Sequence, residues 1–246
     1  MFKRRSGLTI LLAAGFLLNF LETWLETVID HIPGAAPANL VAHGLHSLEN
    51  NYVFDHHDLT NRVAIYGYSI SYYFLLSFLG LALAFVFAQR KSVQPYRVFA
   101  TAIAIVYLIS LPFFLFFPVP ERWAYPDSGA MLLSDLWSTK LFESIRPISG
   151  LDNSFPSFHV SSMVVIILTS YLFKVRFRHS VCALGLTVIL STFVLGVHWI
   201  PDMLAGTVVG ILAVSIACLL EFARANSLLG VPRKLTLPRT LQHGLD

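Results

Sequence analysis

The sequence predicts an all-α integral membrane protein, with six transmembrane helices in one bundle, and three observations carry that expectation. Hydrophobic residues make up 56% of the chain and charged residues 13%, with a mean hydropathy of +0.68, which is too apolar for an ordinary soluble domain. A helix crossing the hydrocarbon core needs roughly 20 mainly apolar residues, and six runs qualify, at about 7 to 28, 64 to 88, 97 to 117, 156 to 174, 181 to 199 and 202 to 223. The third observation is the distribution of Lys and Arg. Lys3, Arg4, Arg5, Arg90, Lys91, Arg97, Lys174, Arg176, Arg178, Arg224, Arg233, Lys234 and Arg239 fall on one side of such a bundle, leaving Arg62, Arg122, Lys140 and Arg146 on the other. By the positive-inside rule this places both termini in the cytoplasm and the loops bearing His159 and His198 on the extracytoplasmic side. The basic clusters are topology signals, so no nucleic-acid partner is needed. A single membrane domain spans 1–246, with its functional core at about 97–223 and a cytoplasmic tail at about 224–246.

Taken in order, the first run opens on Lys3-Arg4-Arg5 in the manner of a signal peptide, yet it is long and carries Glu22, Glu26 and Asp30, so it reads as a retained span. Asn19, Glu22 and Glu26 share one helical stripe and should face protein, because an ionised group facing lipid is costly. Residues 32–61 form an outer loop containing His43, His46, His56 and His57. Their spacing fits no zinc site, and no metal is expected. Tyr66, Tyr68, Tyr72 and Tyr73 open the second helix as an aromatic belt. The third is expected to kink at Pro112 and stop at Pro118 and Pro120. Glu121 to Ser154 is too polar to span and too long for a connector, which marks a functional loop or lid; Met131 to Ile145 within it should lie along the membrane as an amphipathic helix. The fourth helix begins at S-F-P-S-F-H, with Ser154 as N-cap and Pro156 in the first turn. The last helix begins near His198, so that Pro201 falls where its missing N–H costs little. Cys182 and Cys218 lie inside helices toward the cytoplasmic end and read as packing residues.

The chemistry concentrates at the outer boundary. In S-T-F-V-L-G-V-H-W-I-P-D, His198 and Asp202 stand four residues apart at the end of an apolar run. At that spacing the two can face each other across one helical turn, so the carboxylate fixes the imidazole tautomer and supports its positive charge. His159 sits one turn into the fourth helix, whose free N–H groups favour an anion, and Arg146-Pro147 offers a cationic fork suited to phosphate.

These segments resemble the type 2 phosphatidic acid phosphatase superfamily, whose pattern is K-x6-R-P, then P-S-G-H, then S-R-x5-H-x3-D. The matches are Arg146-Pro147, then Pro156-Ser157-Phe158-His159, then Ser191-Thr192 with five residues before His198 and three more before Asp202. The resemblance implies His198 as nucleophile, Asp202 as its orienting partner and His159 as general acid. Arg146 and Ser157 would hold phosphate oxygens, with Lys140 or Arg122 as the further cation, and no cofactor is implied. The sequence departs from the pattern in three places. Lys140 has five residues between it and Arg146 instead of six, Thr192 stands in place of arginine, and Phe158 in place of glycine. The last two are similar to the branch containing inositol phosphorylceramide synthases. The implied partners are a membrane lipid substrate and, for a transferase, a lipid or polyol alcohol acceptor. A lipid carrier using Glu22, Glu26, His198 and Asp202 as a polar path, or an inactive lipid-binding relative, is the competing reading.

Overall fold

The computed structural model describes residues 66–117, 119–125, 128 and 154–228, together with Gly44 and Ser47. The first predicted helix, most of the 32–61 loop including its four histidines, the 131–145 segment, Lys140, Arg146 and the tail lie outside these. Among the described residues the architecture is helical, apart from an isolated bridge at Val119. The helices are α1 (Leu76–Gln89), α2 (Gln94–Phe116), α3 (Phe158–Leu172), α4 (Arg178–Val194) and α5 (Ile200–Leu228). They fall within or close to five of the six predicted runs. Two of them, Gln94–Phe116 and Ile200–Ser227, are long and apolar enough to cross a membrane, and the other three are shorter apolar helices.

α3 is the central element. Its residues from Val160 to Ile166 are all buried, and it packs against each of the other four helices. Such a helix, apolar or small all round, belongs inside a bundle. Around it the exposure pattern is that of a membrane protein. Phe74, Phe78, Leu81 and Phe85 ahead of and along α1, and Leu204, Val208, Ile211 and Leu219 on α5, present their side chains outward, a surface that water would oppose and lipid would not.

Two devices hold the helices at opposite ends. At one end α3 and α5 approach through Gly206 and Gly210. A Cβ on Gly206 would lie 2.6 Å from the Ser157 carbonyl oxygen, and one on Gly210 would lie 2.7 Å from that of Ser161. This is the small-xxx-small contact by which apolar helices pack closely where hydrophobic burial gives no drive. At the other end, Arg97 pairs with Glu221 at 2.8 Å, and the Arg90 guanidinium donates to the Phe173 carbonyl at 2.7 Å. α2 runs through Pro112 and ends at Phe116, two residues before Pro118.

Gly210→Ala is expected to destabilise the protein by about 1–3 kcal/mol through overpacking, lowering the thermal midpoint in detergent by several degrees. Gly80→Ala is the control, since its Cβ would meet only Ile166 Cδ1 at an ordinary 3.6 Å. Equal midpoints for the two variants would refute the close-packing account.

Candidate active site

The site is built where α4 stops. The apolar run predicted an end near 199, but the helix terminates at Val194, because Gly196 takes a positive φ of 74°, the left-handed conformation that closes helix C-termini. The Thr192 carbonyl then accepts from both Val197 N–H at 3.2 Å and His198 N–H at 3.0 Å. His198 therefore lies in the loop between α4 and α5, and the expected pairing across a helical turn is replaced by another geometry. α5 begins at Ile200 with Pro201 in its first turn, as the sequence required. Asp202 follows, and its Oδ2 accepts from Trp199 N–H at 3.0 Å, the carboxylate half of a capping box at a helix end that favours negative charge.

His198 Nδ1 lies 3.6 Å from Asp202 Oδ2, beyond hydrogen-bond range. Ser154 fills the interval. Its hydroxyl donates to Asp202 Oδ2 at 2.6 Å, and its Oγ lies 3.1 Å from His198 Nδ1. With the serine proton directed at the carboxylate, Oγ is left to accept Nδ1–H, and that assignment leaves the lone pair on Nε2. Ser154, Asp202 and His198 are 1%, 0% and 5% exposed, so the chain of contacts operates in a medium where each is strengthened. Ser154 is thus not the cap of α3. Ser157 takes that position, its Oγ accepting from Val160 N–H at 3.3 Å, and Pro156 precedes the helix because Ser157 holds extended backbone.

His159 is the second residue of α3. Its ring stacks on Tyr72 with centroids 4.2 Å apart and planes at 18°, and its centroid lies 6.1 Å from that of His198 at 56°. Two imidazoles held on separate elements thus stand side by side. Tyr72 belongs to a π-helical stretch, Ser71–Leu75, that precedes α1; such widened turns re-aim side chains at functional sites. The belt reading therefore fails for Tyr72, which is buried against His159, while Tyr66 is exposed.

A strap over residues 119–125 secures the loop. Val119 and Pro120 carbonyls accept from Ser154 N–H at 3.1 Å and the Trp199 indole at 3.1 Å. Arg122 N–H and Trp123 N–H donate to the carbonyls of Val197 at 3.0 Å and Gly196 at 2.9 Å. Arg122, the only predicted phosphate cation among the described residues, is buried with its guanidinium 4.9 Å over the Phe193 ring. Thr192, where the pattern has arginine, turns inward and donates to the Ile189 carbonyl at 2.7 Å. Ser157 adds a backbone link, its N–H donating to the Asp202 carbonyl at 3.1 Å.

A family model described as PAP2 superfamily matches residues 40–216, most of the chain and all of the site just built. The chain belongs to the PAP2 superfamily. Neither the curated proteins nor the solved structures yield a match. Membership makes this PAP2 chain a phosphatase-type enzyme associated with a membrane. Sequence reasoning missed Ser154, Tyr72 and Trp199 as parts of the site; only the Gly206-Thr207-Val208-Val209-Gly210 spacing offered a signal that could have placed α3 against α5.

Ser154→Ala removes a hydrogen bond to a charged group, an effect of roughly 1.5–3 kcal/mol. It is expected to lower kcat about 10- to 100-fold with little change in KM, and Ser154→Thr should recover part of it. An unchanged kcat would mean that Asp202 orients His198 without the serine.

Proposed function

We propose that this protein is a multi-pass membrane enzyme that transfers a phosphoryl or phospho-headgroup on a lipid at the extracytoplasmic boundary, through a phosphohistidine. The observation that carries the reading is the pair of histidines, 6.1 Å apart between ring centroids, of which one is oriented through Ser154 and Asp202 and the other is held on Tyr72. In the first step His198 Nε2 attacks phosphorus. The N–P bond forms as the bond to the leaving oxygen breaks, and His159 supplies the proton that oxygen needs. The Ser154 and Asp202 contacts stabilise the positive charge that grows on the His198 ring. In the second step water or an alcohol attacks phosphorus, the N–P bond breaks, and His159 takes the proton back. Arg146, Lys140, Arg122 and Ser157 with its neighbouring N–H groups are the candidates for holding the phosphate oxygens, where charge develops in the transition state.

The setting supports a lipid substrate. In a six-span bundle with cytoplasmic termini, Arg90 and Arg97 lie at the cytoplasmic face, and the site lies at the opposite end, reached from the bilayer by way of an apolar outer surface. Thr192 in place of arginine reduces the charge available to the phosphate, which suits a phosphodiester better than a monoester. Headgroup transfer to an alcohol is accordingly the reaction class to weigh against hydrolysis.

The test pairs inorganic phosphate release from lipid phosphate monoesters with headgroup transfer from a phospholipid to a lipid alcohol, both in mixed micelles. His198→Ala should abolish turnover and acid-labile phosphoenzyme in whichever reaction the wild type performs; undiminished activity would sink the mechanism. His159→Ala should slow alkyl leaving groups about 10²- to 10⁴-fold and activated aryl phosphates far less. Equal losses on both would remove His159 from the acid role.

A further inference from the structure

Between α1, α2 and α3 lies a cavity of about 160 Å³, open on one side, with Gly80 and Ala84 on α1, Ile103 on α2 and Phe158, Ser162 and Ile166 on α3 in its wall. The lining is almost wholly apolar. An apolar cavity of about 150 Å³ stays dry and takes up hydrocarbon, so this space suits a hydrocarbon ligand and not ordered water.

One buried group contradicts that character. Ser162 is 4% exposed, and its Oγ has no hydrogen-bond partner among the described residues. Hydroxyls in apolar helices ordinarily bond back to a carbonyl one turn earlier. The neighbours on α3 do so: Ser161 to Ser157 O at 2.7 Å, Thr169 to Val165 O at 2.6 Å and Ser170 to Ile167 O at 2.7 Å. Ser162 does not, and a buried hydroxyl left unpaired is costly. An acceptor borne by whatever fills the cavity that Ser162 lines would meet it.

The cavity's position says what that is. Phe158, Ser162 and Ile166 stand four residues apart on one face of α3, and Ser162 is three residues beyond His159, about 4.5 Å further along the helix axis. Phe158, packed on Tyr107 with ring centroids 4.5 Å apart, is at once the residue before His159 and part of the cavity wall. The space thus begins beside the site and runs down α3 toward Ile166, about 12 Å from Phe158. An acceptor a few ångströms from the phosphate, attached to an apolar chain, satisfies both the cavity and the hydroxyl. Phosphate alone satisfies neither.

We propose that this cavity takes one acyl chain of the phosphorylated lipid, and that Ser162 Oγ donates a hydrogen bond to the carbonyl, ester or amide, that joins the chain to the lipid backbone. The inference rests on the lipid reading above and names the part of the lipid that the protein recognises.

The test has a binding arm and a kinetic arm. In the first, a phosphatidic acid with a diazirine in one acyl chain is photolysed with full-length His198→Ala protein in nanodiscs, and adducts are mapped by mass spectrometry. Adducts at 80–84, 103 or 162–166 are expected. Adducts confined to outward residues such as Phe78, Phe85 and Leu204 would overturn the proposal. In the second, otherwise wild-type Ser162→Ala is compared on a diacyl lipid phosphate and its diether analogue. A hydrogen bond of ordinary strength predicts that the preference for the acyl lipid narrows about three- to tenfold in KM, and an unaltered preference refutes the Ser162 contact. Ala84→Phe should raise KM for a long-chain lipid phosphate at least tenfold more than for a short water-soluble monoester. Equal changes would refute the chain site. Adducts in the cavity without wild-type turnover of any lipid would overturn the proposed reaction and leave the binding site standing; turnover with adducts only outside would do the reverse.

Discussion

The contact between the first turns of α3 and α5 governs the rest of the site. Gly206 and Gly210 carry no Cβ, so the backbones come close enough for Ser157 N–H to reach the Asp202 carbonyl. That bond holds the N-terminus of α3, with His159, against the N-terminus of α5, with Asp202. The Asp202 carboxylate is then committed twice through the same oxygen, to Trp199 N–H as a helix cap and to Ser154 as the anchor of His198. Helix initiation and the orientation of the histidine are one structural event, and neither is adjustable without the other.

Burying such a polar cluster at the end of an apolar bundle is tolerable because its backbone groups find partners, although Asp202 Oδ1 has none among the described residues. Backbone N–H groups of Arg122, Trp123, Ser154, Ser157, Val197, His198 and Trp199 all find acceptors within the loops that converge there. In a site shielded from water an unmet donor would cost more than a typical bond contributes. The strap at 119–125 is therefore as much a part of the site as the histidines, although it carries no residue assigned a chemical step other than Arg122.

The limits of sequence reading follow from where information is local. Composition and hydropathy placed most of the helical runs because apolar length is a property of single segments. The His198-x-x-x-Asp202 order could not be read geometrically, however, since a four-residue spacing means one thing inside a helix and another across its N-cap; here Gly196 ends α4 early and makes the difference. With Trp199 following His198 directly, the spacing serves a capping box. Ser154 looked like a cap because serine before a helix commonly is one, and the same serine two loops away from its true partners is invisible without the fold. Tyr72 had the composition of a membrane-interface anchor, and only the π-helical stretch and the packing of α1 turn it onto His159.

The contacts that assemble the site also impose an order in time. Ser154 meets His198 across 44 residues of chain, Ser154 meets Asp202 across 48, and Trp199 meets Pro120 across 79. Chains emerge from the ribosome N-terminus first, at roughly 5–20 residues per second. α1 to α4 are therefore synthesised before Asp202, the carboxylate that anchors Ser154 beside His198, exists. Until α5 docks, the groove on α3 that will receive Gly206 and Gly210 stays open, and Ser154 and Ser157 have neither the carboxylate nor the carbonyl they later bind. The nascent chain lacks the assembled site during that interval, and docking of α5 is the step that completes it.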